Sequence, residues 1–283
     1  MASTSNPKPT AVVLTIAGSD CSGGAGLQAD IKTAAAFGVF AASAVTAITA
    51  QNSAQLYNVF VLPAQQVQAQ LDAVRNGLSL SAVKLGMLGN STIAEVVAEF
   101  LRELRAAQPS LPIVIDPVIK ASSGGNLSCE GILAVYREQL LPLASLLTPN
   151  IPEAANLLNT PEACSLEDME QQARALCAAG APAVLLKGGH FVGGTSHAQQ
   201  LATDILACAQ GIFPFSSPRL ATTHSHGGGC SLATALAAGL AQGLQLRQAV
   251  AAAKTFMQGA LTQSARLQLA PINGPLHHFY NFW

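Results

Sequence analysis

The run T-T-H-S-H-G-G-G-C-S-L-A over 222–233 combines glycines, two histidines and a cysteine directly before an Ala-rich stretch of helical period. Glycines let backbone amides approach a ligand closely. Gly227, Gly228 and Gly229 therefore read as an anion hole made of N–H groups and a helix N-terminus. Cys230, at that terminus, is expected to have a depressed thiol pKa. It could then accept an alcohol proton or hydrogen-bond to a transferring phosphoryl group. The plain structural alternative is a Gly-rich turn around a buried cysteine. A zinc reading of His224, His226 and Cys230 lacks a fourth ligand at normal spacing.

A second loop, G-S-D-C-S-G-G-A-G-L-Q-A-D over 18–30, follows an apolar run. Its stretch 24–29 fits the dinucleotide pattern G-x-G-x-x-G/A, which expects an acid about 20 residues on. No Asp or Glu occurs between Ile31 and Leu71, so a substrate loop is favoured over a nicotinamide site. A tight strand–helix turn is the structural alternative. None of the six lysines follows a glycine, which excludes a P-loop.

Other polar residues stand at the ends of short apolar runs. Asn150 and Glu153, in N-I-P-E, could serve a metal–phosphate assembly or simply cap a helix. Asp116 before Pro117 is a second acid for that region or a turn-former. Lys187, in K-G-G-H, could offset phosphate charge or snorkel from a strand edge. Gln51 offers a donor and an acceptor to a heteroaromatic ring, or makes an ordinary polar turn. Met87, in K-L-G-M-L-G, is a core residue or a ligand wall.

These residues need a scaffold, and the pattern supplies one. Apolar runs predict strands over 12–17, 44–49, 83–85, 113–115, 146–148 and 184–186. Helical period predicts helices over 27–37, 63–74, 93–105, 133–139, 167–179, 231–241 and 247–265. The stretch 190–209 lacks a clear period and reads as a loop or flap, with a small hairpin near Asp204. Such alternation predicts an α/β fold, a mostly parallel sheet with helices on both faces. Ligands then bind outside the carboxyl ends of the strands, where the residues above sit.

Composition narrows the function. Of 283 residues, 50% are hydrophobic and 10% charged, with a formal net charge of −1. Disorder is excluded, and nothing supplies the basic excess that a nucleic-acid partner needs. No run reaches the roughly 18–20 apolar residues of a membrane span. Six scattered cysteines without C-x-x-C suggest free thiols and a cytoplasmic protein. We expect a flexible tail over 1–10 and one domain over 11–283, which could assemble as a homodimer.

Taken together, the strings T-I-A-G-S-D-C-S-G-G-A-G-L-Q-A-D, T-A-I-T-A-Q-N, K-L-G-M-L-G, I-D-P-V, T-P-N-I-P-E-A, L-K-G-G-H and H-G-G-G-C-S-L resemble the hydroxymethylpyrimidine/phosphomethylpyrimidine kinases of the ribokinase-like superfamily. The terminal G-P-L-H-H-F-Y-N-F-W fits as well, and the matches run in family order. The resemblance implies a ribokinase-like fold, ATP and Mg²⁺, and phosphorylation of 4-amino-5-hydroxymethyl-2-methylpyrimidine and then its monophosphate in thiamine biosynthesis. It places Gly18, Asp30, Gln51, Met87 and Val118 around the pyrimidine. Cys230 takes the place of the superfamily's Asp base, and Gly227 and Gly229 frame the anion hole. Asn150, Glu153 and Lys187 would serve Mg–ATP, with Asp116 beside the metal through water or phosphate; Thr222 and Lys254 would meet nucleotide. Two positions depart from the family pattern. Gly228 replaces a Thr and removes a hydroxyl from the loop, and Ser122 stands where a Lys is usual, with Lys120 two positions earlier. The competing readings are a pyridoxal kinase of the same superfamily, a non-catalytic pyrimidine-binding protein and a nicotinamide oxidoreductase.

Overall fold

A computed structural model describes residues 9–119, 131–189 and 201–283 of the chain. The expectations about Lys120, Ser122 and most of the 1–10 tail lie outside the described residues, as does the first half of the expected flap.

Among the described residues, nine strands form one sheet. Five strands run parallel to the central β1 (Val12–Asp20): β2 (Phe40–Gln51) on one side, and in succession β4 (Ala82–Leu85), β5 (Ile113–Ile115), β6 (Leu146–Leu147) and β7 (Ala183–Leu186) on the other. Antiparallel strands finish both edges. β3 (Leu56–Val61) pairs with β2, and the hairpin β8 (Leu201–Cys208) and β9 (Gly211–Pro218) follows β7. The order is β3-β2-β1-β4-β5-β6-β7-β8-β9.

Period-two alternation sorts the strand side chains between two cores. Leu14, Ile16, Val83, Leu85, Ile113, Ile115, Val184 and Leu186 face one side. There they meet α2 (Ala64–Gly77), α3 (Ser91–Ala107), α4 (Ile132–Val135) with its π-helical continuation Tyr136–Leu140, α5 (Ile151–Leu158) and α6 (Leu166–Ala178). Val13, Val114, Leu146, Leu185 and Leu206 face the other side, under α1 (Gly26–Ala36), α7 (Gly228–Ala241) and α8 (Leu246–Thr262). Each such Leu, Ile or Val contributes about 1.5–3 kcal/mol of burial free energy. α7 lies between α1 and α8 and is buried along nearly its whole length. Its alanines and Gly239 permit that close approach: a Cβ on Gly239 would stand 3.3 Å from Ala249.

The predicted mostly parallel sheet, covered on both faces, is therefore observed. The small hairpin expected near Asp204 is larger than predicted. β8 and β9 pair over eight residues each and belong to the main sheet. β3 was not predicted, and α5 was anticipated only through the helix-cap alternative for Asn150 and Glu153.

Candidate active site

The parallel strands end at one side of the sheet, and a cavity of about 660 Å³ opens there. That volume suits a small-molecule site. Gly18 from β1, Gln51 from β2, Met87 after β4 and Val118 after β5 line its first part. Asp116, Asn150, Glu153 and Lys187, from the ends of β5, β6 and β7 and the start of α5, line the middle. Thr222 and Lys254 line the far part, and Gly227, Gly228, Gly229 and Cys230 stand across from the strand ends. The expected residues thus converge on one cavity, with one exception.

The exception is Asp30. It has no solvent exposure and does not line the cavity. Its carboxylate accepts from Lys84 Nζ at 2.8 and 3.0 Å, from Thr15 and from Thr234 Oγ1 at 2.7 Å. Every lone pair pointing toward a ligand is already committed inside the protein, so the pyrimidine contact expected of Asp30 is corrected to a place below the cavity floor.

The two glycine loops abut each other. Gly227 has φ +81°, and a Cβ there would come within 2.0 Å of the Gly24 carbonyl oxygen; one on Gly24 would meet His226 at 2.3 Å. Asp20 locks the pair together. Its carboxylate accepts from the amides of Ser22 and Ala25 and from His226 Nε2 at 2.9 Å. Burial raises the Asp20 pKa, but these donors outweigh it and hold the carboxyl down at about 2. The dinucleotide-like stretch 24–29 is therefore the entry into α1, packed on the other loop, with Ala25 and Gly26 at the cavity edge. Among the described residues no group of three His, Cys, Asp or Glu could hold a metal, and His224 Nδ1 and His226 Nε2 are used within the protein, so the zinc reading has no support.

Along the wall, Lys187 Nζ lies 2.6 Å from Asp116 Oδ1 and 3.8 Å from Glu153 Oε2. Asn150 and Glu153 do form a reciprocal cap on α5: Asn150 Oδ1 accepts from Glu153 N, and Glu153 Oε2 accepts from Asn150 N, both at 2.8 Å. The cap and the cavity wall are thus the same two residues. Burial, with Asp116 nearby, pushes the Glu153 carboxyl up to about 7 against the pull of Lys187. Asp116 and Lys187 both lie 3.5 Å from where a Cβ on Gly229 would stand, so the charged wall faces the start of α7. Lys254 is not free in the cavity: it donates to Asp204 Oδ2 at 2.7 Å.

Cys230 departs from its expected chemistry. Burial pushes the thiol up to about 11, with Asp30 and Asp116 adding to the rise and Lys84 opposing it. Desolvation outweighs the helix terminus, so the resting group is a thiol. The sequence reading also missed Lys84, Asp204 and the Asp20–His226 pair. The available signal for Lys84 was a lysine inside the apolar string A-V-K-L, at a position whose neighbours both point into the opposite core.

Comparison with known proteins agrees with this geometry. The phosphomethylpyrimidine kinase family model matches residues 20–277. The hydroxymethylpyrimidine/phosphomethylpyrimidine kinase of Rhizobium meliloti is 42% identical over 274 residues, covering 97% of this chain and 99% of its own. The pyridoxal kinase of Bacillus subtilis, solved as an ADP complex, superposes with a TM-score of 0.84 at 33% identity over 96% of this chain and 99% of that one. The phosphomethylpyrimidine kinase of Clostridium difficile gives a TM-score of 0.76 at 34% identity over 88% and 98%. With the family model spanning most of its length and a relative at this identity, the chain belongs to the phosphomethylpyrimidine kinase family.

Proposed function

We propose that the protein transfers the γ-phosphoryl group of ATP to the hydroxymethyl group of 4-amino-5-hydroxymethyl-2-methylpyrimidine, and then phosphorylates the monophosphate. One observation carries the reading: the order of strands across the sheet gives the order of functions across the cavity. The apolar and amide residues Gly18, Gln51 and Met87 stand over β1, β2 and β4. The charged residues stand over β5, β6 and β7, and the glycine amides of α7 lie opposite the junction. A flat heteroaromatic alcohol fits the first part, with Val118 at its edge, and a nucleotide triphosphate fits the rest, past Thr222 and Lys254.

Phosphoryl transfer is chiefly positioning and charge stabilisation. The Gly228 amide is already given to the Ser225 carbonyl at 3.0 Å, so the amides of Gly227 and Gly229 hold the transferring group, and Lys187 offsets charge beside it. Asn150 orients phosphate from the start of α5. Cys230 enters as a thiol, so it orients the alcohol and the phosphoryl oxygens instead of acting as a resting thiolate base. Two acids share one lysine on the wall, and Glu153 is hard to ionise there for want of further positive charge, which a divalent cation would supply. Asp116 and Glu153 would hold Mg²⁺ through water or phosphate, where it supplies charge neutralisation to the triphosphate. The five free cysteines among the described residues suit a reducing cytoplasm. No helix among the described residues is long and apolar enough to cross a membrane.

The second reading, pyridoxal as the alcohol, is favoured by the TM-score of 0.84 with a pyridoxal kinase. ADP release measured with the pyrimidine and with pyridoxal under the same Mg–ATP concentration decides between them. We expect the pyrimidine to turn over faster; a higher kcat/KM for pyridoxal would reverse the assignment, and no alcohol-dependent ADP release would leave a binding protein.

A further inference from the structure

Lys84 and Asp30 form an ion pair with no solvent exposure on either side chain. Removing two such ions from water costs several kcal/mol each, and an apolar pair of equal volume is often as stable. The pair therefore asks for a reason other than stability. Its placement supplies one. Lys84 is on β4, three residues before Met87; Asp30 is on α1, directly after the first glycine loop. Thr234, which donates to Asp30, is on α7 one turn beyond Cys230. Each of the three elements delivers a different part of the cavity lining.

Two further observations point from Lys84 toward the reaction. A Cβ on Gly86 would stand 2.8 Å from Lys84 Nζ, so the ammonium lies against the backbone that leads into Met87. It is also the charge that most favours a thiolate at Cys230, against burial and the carboxylates of Asp30 and Asp116.

We propose that Lys84 is a positioning residue for phosphoryl transfer: paired with Asp30, it anchors α7 one turn beyond Cys230 through the Asp30–Thr234 contact and holds positive charge beneath the loop that receives the transferring group. This rests on the kinase reading above.

The test compares the wild type with Lys84→Met and with Lys84→Met/Asp30→Asn. The single variant strands a buried carboxylate and melts lower. The double variant removes both charges, keeps an acceptor for Thr234 and recovers most of the melting temperature. Its kcat nevertheless stays down by about 10–100-fold, with the KM for the alcohol changed less than about threefold. Affinity for MgADP–aluminium fluoride, which mimics the transferring group, falls by a similar factor while affinity for MgADP is kept. Recovery of kcat together with stability would make the pair purely structural and overturn the proposal; so would a raised KM at unchanged kcat. If the double variant does not fold, Thr234→Val and Thr234→Ser decide, because both retain the ion pair. The valine variant should lose about five- to tenfold in kcat and the serine variant should regain it; equal activity of the two would overturn the proposal. A wild type that turns over no alcohol defeats the kinase reading alone, and the aluminium fluoride comparison then decides Lys84.

Discussion

The charge beneath the cavity and the charge along its wall are built on opposite plans. Below, one acid meets one base and two hydroxyls, and both Asp30 oxygens are fully occupied. Along the wall, Asp116 and Glu153 share Lys187, one closely and one at 3.8 Å, and all three border the cavity. The first cluster is closed, so it can only hold the protein's own elements in place. The second is open on one side, and its Glu153 is hard to ionise without further positive charge, so a cationic ligand such as a magnesium nucleotide can complete it. Burial of charge is common to both; what separates a positioning cluster from a binding cluster here is whether its valences are already filled.

Cys230 stands where the two clusters meet, and its removal is the largest expected effect. Cys230→Ala should fold normally, since Ala favours a helix. Turnover should fall by about 10²–10⁴-fold, the usual range for a group that handles the alcohol proton or its orientation. Cys230→Asp should keep part of that turnover. Steady-state kinetics with circular dichroism as the folding control would check both; near-wild-type turnover of a folded Cys230→Ala would take the thiol out of the reaction.

Replacing each lysine by methionine sharpens the contrast. Lys84→Met leaves Asp30 charged in a closed site and should destabilise the fold by about 3–5 kcal/mol. Lys187→Met leaves Asp116 with Thr148, whose hydroxyl lies 3.1 Å from Oδ1, and Glu153 can take up a proton. It should therefore cost less stability but about 10²–10³-fold in turnover, as loss of one anion-stabilising group commonly does. Denaturant melts and kcat on the two variants give the ranking; equal stability losses would dissolve the distinction between closed and open clusters.

The smallest effect concerns pH. The Glu153 carboxyl is raised on folding from its ordinary value of 4.5 to about 7 by burial and Asp116. Folding thus favours its protonated form. The associated stability is present below 4.5 and lost as pH rises through about 7. Glu153→Gln retains a side-chain cap for Asn150 without the charge. Its melting temperature should fall less between pH 5 and 8 than that of the wild type without ligand. A parallel pair of pH profiles would remove Glu153 as the source of the slope.

Much of this was legible in the residues. The short Val/Ile/Leu runs sit inside a sheet covered on both faces, where burial enforces the apolar pattern, and the expected strand ends carry the polar residues of the cavity. What escaped notice has identifiable physical causes. β9 contains Pro214 and ends at Pro218, which suppresses a strand reading, yet it is the edge strand, where a missing N–H costs little. β3 lies at the opposite edge and exposes Tyr57 and Phe60, so its pattern does not separate a core face. α5 is eight residues long, with Pro152 as its second residue, too short for a periodicity argument. The Cys230 expectation failed for a different reason: position at a helix terminus is visible in sequence, whereas the depth of burial and the nearby carboxylates are set by tertiary packing. Asp30 was misplaced on the same ground, since nothing local shows that its partners come from Lys84 and Thr234.

The mutual fit of the two glycine loops also bears on how the molecule is assembled. His226 reaches Asp20 across 206 positions of chain, and Thr234 reaches Asp30 across 204. Contacts of such separation form late, because the intervening loop must be closed first. During synthesis from the N-terminus the early strands and their helices can pair before the residues from 224 onward exist. Through that interval the 18–30 loop lacks the neighbour that shapes it, so an incomplete chain has the frame of the sheet but no anion-binding loop, and competence for catalysis arrives only with docking of the segment from 224 onward.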